Sequence, residues 1–384
     1  MEIYLDNAAT TEVYPEVVAL MTEIMRNDYG NPSSMHRKGV EAERYLKTAA
    51  AQIAAVLKTE EKNIYFTSGG TESNNWALKG AAFANRRAGM HIITTPIEHA
   101  AVSEPLRYLE GQGFEITKVP VDCTGTVNPE DIKNAVRGDT ILVSVMAVNN
   151  EIGSVQPVAE IGHAIKEANP RTLFHVDAIQ AFAKLPICPS RDKIDMLSAS
   201  GHKIHGPKGS GILYIGKGVK IDPLILGGGQ QKGYRSGTDN VPGAAGMALA
   251  AQMMAGRMQE NRDHMMMLRE RLIKNLSEME NVVIHGQTLP EGAPHIVNAS
   301  FCGVRSEVLL HSLEEKEIYV SSGSACSSHK RAGSPTLTAC GCSKAEMESS
   351  VRFSFCETTR PEDIDQTAEA IGELLPLLRK YSRH

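Results

Sequence analysis

The sequence predicts an α/β protein with a mostly parallel central sheet, because short apolar runs rich in β-branched residues alternate with helical patterns in its first half. The predicted strands cover residues 63–68, 91–97, 115–121, 140–148 and 172–178. Between them lie stretches with the apolar spacing and the length of helices. Strands that alternate with helices form βαβ units, in which parallel strands are covered by helices on both faces.

The pattern changes near residue 240. One long helix is predicted over 240–279, and its Met and Leu stripe is typical of core packing and not of a cofactor site. Shorter strand and helix patterns follow, up to a closing helix over 361–379. We therefore predict a large cofactor-binding domain over 1–254 and a smaller C-terminal α/β domain over 255–384, with packing of the N-terminal segment against the small domain as an open alternative.

Composition excludes several classes of function. A net charge of −5 spread over 384 residues predicts no nucleic-acid face and no polybasic membrane anchor. The sequence shows neither a signal-peptide pattern nor the roughly 18 uninterrupted apolar residues of a membrane span. Its seven cysteines, an odd number, favour free thiols in a reducing compartment. These observations predict a cytoplasmic protein that works with small molecules and other proteins.

Two segments predict parts of a binding site. In "FTSGGTESNN" a strand ends in Ser-Gly-Gly and Thr71 opens a helix, so that free N–H groups, a glycine and a hydroxyl are available to a phosphate group. An ordinary helix cap has the same pattern. In "FHVDAIQA" Asp177 ends a buried strand, where a carboxylate needs a cationic partner such as a protonated ring nitrogen, or merely caps the next helix.

The segment "SGHKIHGPKGSG" carries the sharpest signal. Lys203 follows an apolar run and precedes a glycine-rich turn, where a lysine shielded from water loses its proton and acts as a nucleophile or a base. A nucleotide P-loop is excluded, since Pro207 stands where that motif needs lysine. Together with Thr71 and Asp177, Lys203 supplies what pyridoxal phosphate needs: an anion cradle, a partner for the ring nitrogen and an amine for covalent attachment.

The sequence resembles the cysteine desulfurases of the NifS/IscS group over nearly its whole length. The motifs that carry the resemblance occur in the family's order: "YLDNAATT", "GNPSSMH", "FTSGGTESNN", "EHAAV", "NNEIGSVQP", "HVDAIQA", "SGHKIHGPKGSG", "RSGTDNVPG", "SGSACSS" and "SVRFSF". This resemblance implies the fold type I architecture of pyridoxal-phosphate enzymes, a homodimer, and conversion of L-cysteine to L-alanine.

The resemblance also implies roles for individual residues. Lys203 would hold the cofactor covalently and act as a catalytic residue with His99, which would stack on the ring and help proton transfer. Asp177 would pair with the ring nitrogen, and Gln180 would donate to the ring oxygen. Thr238 would reach the phosphate from the other subunit. The full set implied for cofactor binding is Gly70, Thr71, His99, Asn150, Asp177, Gln180, Ser200, Gly201, His202, Lys203 and Thr238.

On the substrate side, the resemblance implies Arg352 as the group that grips the carboxylate of L-cysteine, with Asn150 and Asn7 nearby. Cys326, in the serine- and glycine-rich segment "SSGSACSSHKRAG", would attack the substrate sulfur and carry it as a persulfide to an acceptor. A segment with few apolar anchors is suited to both tasks. The implied acceptors are an iron–sulfur scaffold or a tRNA-thiolation protein.

Three alternatives to this function stay open at this point. A selenocysteine lyase or an aminotransferase would share the cofactor residues, although an aminotransferase has no use for Cys326. A non-enzymatic sulfur carrier would not need an intact Lys203. The sequence ends before the tail with which IscS-type relatives hold their scaffold, which leaves docking of that partner open.

We predict no metal site. A zinc site built from Cys326, Cys340, Cys342 and Cys356 is conceivable, but its C-x-C spacing differs from the usual gap of two to four residues.

Overall fold

The computed structural model describes residues 2–322 and 333–381. Its strands are β1 (Ile3–Tyr4), β2 (Ile64–Thr67), β3 (His91–Thr94), β4 (Glu115–Lys118), β5 (Thr140–Met146), β6 (Leu173–Asp177), β7 (Met196–Ser200), β8 (Gly211–Ile215), β9 (Val282–His285), β10 (Ile296–Phe301), β11 (Ile318–Tyr319), β12 (Ser321–Ser322) and β13 (Ser350–Ser354). Its helices are α1 (Pro15–Asn27), α2 (Arg37–Leu57), α3 (Gly70–Asn75), α4 (Ala81–Asn85), α5 (Ala100–Glu110), α6 (Pro129–Ala135), α7 (Val158–Ala168), α8 (Val241–Gly256), α9 (Met258–Ser277), α10 (Ser306–Glu314), α11 (Pro335–Ala339), α12 (Lys344–Glu348) and α13 (Pro361–Tyr381). A π-helical turn over Trp76–Gly80 joins α3 to α4. None of the helices in the described part of the chain has the length and apolar character needed to cross a bilayer.

The central sheet has seven strands in the order β2-β8-β7-β6-β5-β3-β4. The strands from β7 to β4 run parallel, and β8 is antiparallel to both of its neighbours. Consecutive residues such as Ile92 and Ile93 on β3 point into different apolar cores on the two faces of the sheet. The predicted α/β class with a mostly parallel sheet is confirmed.

A second, antiparallel sheet has the order β12-β13-β10-β9 and its own apolar core. The N-terminal strand β1 pairs with β11, and Ile3 and Leu5 belong to this second core. Residues of α8 lie in the core of the central sheet, whereas Leu268, Leu272 and Leu276 of α9 lie in the second core. The division into domains over 1–254 and 255–384 therefore remains a proposal, which this partition of α8 and α9 supports.

One predicted element is wrong. The helix predicted over 240–279 is two helices, because the chain leaves helical geometry at Arg257, with φ −120° and ψ 22°. Glycine has a weak helix preference, and Gly256 ends α8 directly before this break. The two helices also have different partners, since α8 packs on α1 and α2 whereas α9 packs on α13. The amphipathic pattern alone does not show that change of partner.

Candidate active site

A cavity of about 360 Å³ lies at the carboxyl ends of the central parallel strands. Asp177 ends β6, Ser200 ends β7 and Met146 ends β5, and all three line the cavity. Ligands of open α/β sheets bind at this edge. The sequence-predicted residues that line the cavity are Gly70, Thr71, His99, Asn150, Asp177, Gln180, Ser200, His202, Lys203 and Arg352.

The Asp177 carboxyl is buried and held by uncharged donors. Asn74 Nδ2 donates to it at 2.7 Å and the Ile179 N–H at 3.0 Å. Burial raises the pKa of Asp177, and the hydrogen bond from Ile179 and the nearby His99 only partly oppose this effect. A cation placed against the carboxyl would favour its charged form. The site therefore suits a ligand that brings a protonated nitrogen to the floor of the cavity.

His99 occupies the start of α5, where its ring is fixed in one tautomer. Its Nδ1 accepts a hydrogen bond from the Ala101 N–H at 3.0 Å, so in the neutral ring the proton is on Nε2. Burial lowers the pKa of His99, Asp177 opposes this and the Lys203 ammonium adds to it. The ring is therefore a neutral donor through Nε2 at physiological pH.

Lys203 is held over the cavity by the N-terminal segment of the chain. Its Nζ donates to the carbonyl oxygens of Ala8 and Ala9, each at 2.7 Å. It sits on the short 3₁₀ turn Gly201–Lys203 that follows β7. The fully buried Lys184 does not line this cavity, although burial lowers its pKa to about 7.

The turn between β2 and α3 brings backbone close to the cavity. Gly69 has φ 148°, a conformation that favours glycine, and it precedes the first residues of α3. A Cβ on Gly70 would lie 2.1 Å from Cδ1 of Ile179. His202 lines the same cavity as Gly70 and Thr71, and burial lowers its pKa to about 4, so the ring is neutral. Gly70 and Thr71 are the first residues of α3, and N–H groups at the start of a helix are suited to an anion, so their role in phosphate binding stays a prediction.

Arg352 on β13 reaches the cavity from the second sheet. Its Nη2 donates to Asp6 Oδ1 at 2.7 Å and its Nη1 to the Asn150 carbonyl at 2.9 Å. Its Nε is buried and has no hydrogen-bond partner among the described residues. A buried donor without a partner is costly, and a substrate carboxylate would satisfy it.

Four predicted residues are not placed in the cavity. Thr238 is exposed and does not line the cavity of its own chain, and Gly201 is buried in the turn that contains Lys203. Asn7 lines a different cavity, and its side-chain amide donates to the carbonyls of Tyr4 and Ser354. Cys326 lies outside the described residues. The predicted roles of these residues stay predictions.

Gln180 lines the cavity in an orientation that the sequence did not predict. Its Nε2 donates to the Ala8 carbonyl at 2.9 Å, and its buried Oε1 has no hydrogen-bond partner in the described part of the chain. It presents an acceptor to the cavity, so donation to a ring oxygen requires the amide to turn over. That role also stays a prediction.

Sequence reasoning missed several residues of the site. Asp6 lines the cavity and pairs with Arg352, and Asn74 holds Asp177. Both lie inside quoted motifs, "YLDNAATT" and "FTSGGTESNN", which was the only signal for them. The carbonyls of Ala8 and Ala9 carry no side-chain signal, so only the fold shows that they bind Lys203.

Comparison with known proteins decides the family. The sequence model of the family "Aminotransferase class-V" matches residues 3–367 of this chain. A cysteine desulfurase IscS from Methanosarcina thermophila is 46% identical over 380 residues, which are 99% of this chain and 93% of that protein. The chain belongs to the NifS/IscS group of class V aminotransferases. Enzymes of this group depend on pyridoxal phosphate, and the predicted family, enzyme class and cofactor are confirmed.

Solved structures agree with this assignment. A NifS-like protein has a TM-score of 0.93 at 40% identity, covering 98% of this chain and 100% of that one. A structure described as SspA in complex with cysteine has a TM-score of 0.81 at 33% identity, covering 92% of this chain and 99% of that one. The predicted fold type I architecture is confirmed.

The cavity fits the family's cofactor. The buried Asp177 lacks a charged donor in direct hydrogen-bond contact, and the buried Gln180 Oε1 and Asn74 Oδ1 lack partners among the described residues. Gly70 and Lys203 line the same cavity, and a Cβ at Gly70 would clash with Ile179, so the bare backbone is required there. The cofactor's ring nitrogen would suit Asp177, its polar ring substituents Gln180 and Asn74, its phosphate the backbone at Gly70, and its covalent bond Lys203.

Proposed function

We propose that this cavity converts L-cysteine to L-alanine and that Cys326 receives the sulfur as a persulfide. The observation that carries the proposal is the meeting of Asp177, Lys203 and Arg352 in one cavity. The relatives' names and the cysteine in the SspA complex support L-cysteine as the substrate. In the balanced reaction the carbon–sulfur bond of L-cysteine breaks, a sulfur–sulfur bond to Cys326 forms, and the thiol proton ends on the methyl carbon of L-alanine.

Pyridoxal phosphate, when bound, supplies an electron sink that stabilises negative charge on the carbon atoms of an attached amino acid. Asp177 would hold its ring nitrogen, the α3 turn with Gly70 and Thr71 would hold its phosphate, and Lys203 would bind it covalently.

Three side chains then act on L-cysteine. The Arg352 guanidinium binds its carboxylate, using the free Nε and exchanging part of its contact with Asp6. Lys203 Nζ, once released from the cofactor, accepts and returns protons at the substrate carbon atoms. His99 Nε2 carries a proton that it can donate within the cavity, because Nδ1 is fixed by the Ala101 N–H.

We further propose a homodimer in which Thr238 completes the phosphate site of the other subunit, since Thr238 is exposed and does not line the cavity of its own chain. The acceptor of the sulfur is proposed to be another protein, either an iron–sulfur scaffold or a tRNA-thiolation protein. The composition and the free thiols support a cytoplasmic location.

The test of the site assignment compares Lys203 with the buried Lys184. Borohydride reduction of the purified holoenzyme, followed by peptide mapping, should place the cofactor on the peptide that contains Lys203. Lys203→Ala should lose both the covalent cofactor and L-alanine formation. Lys184→Met, which removes that buried amine, should keep the cofactor bond. Attachment of the cofactor to Lys184, or undiminished turnover in Lys203→Ala, would contradict the assignment.

A further inference from the structure

A second polar cluster lies outside the active-site cavity and has no part in the proposed reaction. It consists of His205, Cys356 and Glu357, whose potential metal-ligand atoms lie within 4.8 Å of one another. His205 follows the Lys203 turn, whereas Cys356 and Glu357 follow β13. All three are shielded from solvent, with exposed fractions of 5% and 10% for the His205 and Glu357 side chains and 9% for Cys356.

The orientation of the His205 ring leaves one nitrogen available for a ligand. Its Nδ1 lies 2.7 Å from the Glu12 carbonyl, to which it can only donate, so a neutral ring has its lone pair on Nε2. The Tyr14 ring stacks on the imidazole at 4.4 Å and 15° and holds its plane. An imidazole whose far nitrogen donates to a backbone carbonyl is typical of histidines that bind metals.

The distance between the first two donor atoms agrees with a tetrahedral metal centre. His205 Nε2 lies 3.3 Å from Glu357 Oε2. A charge-assisted hydrogen bond has a distance of about 2.7–2.9 Å, whereas two ligands bound at about 2.0–2.1 Å to a tetrahedral ion lie about 3.3 Å apart. Oε2 makes this ion-pair contact with His205 and no further hydrogen bond among the described residues, and the Tyr14 hydroxyl donates to the other oxygen, Oε1.

The donor chemistry selects the ion. A thiolate, an imidazole and a carboxylate are the ligand types of Zn²⁺, whereas Mg²⁺ and Ca²⁺ prefer oxygen ligands only. Two anionic ligands also neutralise a divalent cation, which a buried site requires. A cavity of about 270 Å³ adjoins the cluster, lined by His205 and Cys356 together with Thr358 and Asp363, and it offers space for a water ligand.

We propose that His205, Cys356 and Glu357 bind one Zn²⁺ ion per chain, with a water molecule from the adjoining cavity as the fourth ligand. The ion links the turn after Lys203 to the end of β13, which are far apart in sequence. This proposal departs from the sequence prediction of no metal site. Of the cysteines considered in the sequence analysis, only Cys356 belongs to the proposed zinc site. Its partners there are a histidine and a glutamate and not other cysteines.

The test measures zinc content in the full-length holoenzyme. Chelator-treated protein is supplied with zinc chloride, dialysed and analysed by elemental mass spectrometry. The wild type should retain one zinc per chain, and Cys356→Ser and Glu357→Gln should each lose it. Cys302→Ser is the matched control and should retain it. Tyr14→Phe, which removes the hydroxyl that contacts Glu357 and Met254, should weaken binding about 10- to 100-fold in competition with a chromophoric chelator.

Two further measurements keep the proposal falsifiable. If Cys356→Ser fails to fold, Glu357→Gln decides the question, because its amide is close in shape to the carboxylate. X-ray absorption of the zinc-loaded wild type should show one sulfur ligand to the zinc. The remaining ligands should be nitrogen and oxygen atoms. Absence of retained zinc in the wild type would overturn the proposal. Retention of zinc in both Cys356→Ser and Glu357→Gln, or its loss in Cys340→Ser/Cys342→Ser, would also overturn it.

Discussion

At the scale of single residues, Arg352 shows how the site is prepared for a substrate carboxylate. Its guanidinium is already fixed by Asp6 and by the Asn150 carbonyl, and Nε is the donor that has no partner in the described chain. The planar fork suits a carboxylate better than an ammonium does. Arg352 is therefore expected to contribute to binding of the substrate and not of the cofactor.

Arg352→Lys should raise the L-cysteine concentration for half-maximal rate about 10- to 100-fold, since a hydrogen bond to a charged group contributes roughly 1.5–3 kcal/mol. The content of bound cofactor, followed by absorbance, should stay unchanged. Arg107→Lys, at an exposed arginine paired with Glu104, is the matched control and should behave as the wild type. Loss of the cofactor from Arg352→Lys would show that Arg352 is structural.

Glu98 is a buried acid next to the site, and it predicts a pH dependence of stability. Its Oε1 accepts from the Thr95 hydroxyl at 2.7 Å and from the Met146 N–H at 3.0 Å, and its Oε2 has no partner among the described residues. Burial raises the pKa of Glu98 to about 8. At pH values between the ordinary pKa of a glutamate and about 8, Glu98 is protonated in the folded chain and ionised in the unfolded chain.

The free energy of unfolding should therefore fall as the pH rises through this window, by at most about 1.4 kcal/mol per pH unit from this group. Glu98→Gln cannot ionise, so its stability relative to the wild type should increase from about pH 5 to about pH 8. Urea unfolding of both proteins at several pH values measures the difference. Glu110→Gln, at an exposed position, should show no such trend, and a flat difference for Glu98→Gln would refute the assignment.

At the scale of elements, the strand ends of the central sheet were predictable, and the contacts between distant segments were not. Asp177 was predicted as a strand-end residue because an apolar run stops there, and parallel strands bring such ends to one edge. The pairing of Arg352 with Asp6 joins residues 346 positions apart, and no local pattern encodes it. The helix break at Arg257 was missed for the same reason, since it depends on what α8 and α9 pack against.

The turn into α3 yields a prediction about an element. A Cβ at Gly70 would lie 2.1 Å from Cδ1 and 2.9 Å from Cγ1 of Ile179, which sits between Asp177 and Gln180. Gly70→Ala should therefore displace this segment and lower the affinity for pyridoxal phosphate, measured by titration of the cofactor-free protein. Gly138→Ala is the matched control, because its Cβ would meet no atom within 4 Å. Equal cofactor affinity in both variants would show that the close approach at Gly70 has no role.

At the scale of the whole molecule, the proposed dimer places Thr238 of one chain in the site of the other. Lys203→Ala subunits mixed with Thr238→Ala subunits should then regain activity, because one site of each hybrid has both an intact Lys203 and an intact Thr238. Activity per verified hybrid, compared with each parent homodimer, is the measurement. Hybrids that stay as inactive as their parents would show that each chain completes its own site.

The central claim is that this protein moves sulfur from L-cysteine to Cys326. The resemblance named Cys326, but the described residues do not include it, so its role needs a chemical test. The unmodified Cys326 thiol is expected to react as a thiolate. Cys326→Ala should keep bound cofactor, because Lys203 and Asp177 are untouched, and should lose sulfur transfer.

The most direct measurement is a single turnover of the wild-type holoenzyme with L-cysteine and no reductant, followed by mass spectrometry of its peptides. The account predicts one L-alanine per added sulfur, and one added sulfur on the peptide that contains Cys326. Cys340→Ser and Cys342→Ser should give the same result. Sulfur found only on Cys340 or Cys342, or L-cysteine consumed without formation of L-alanine, would contradict the account.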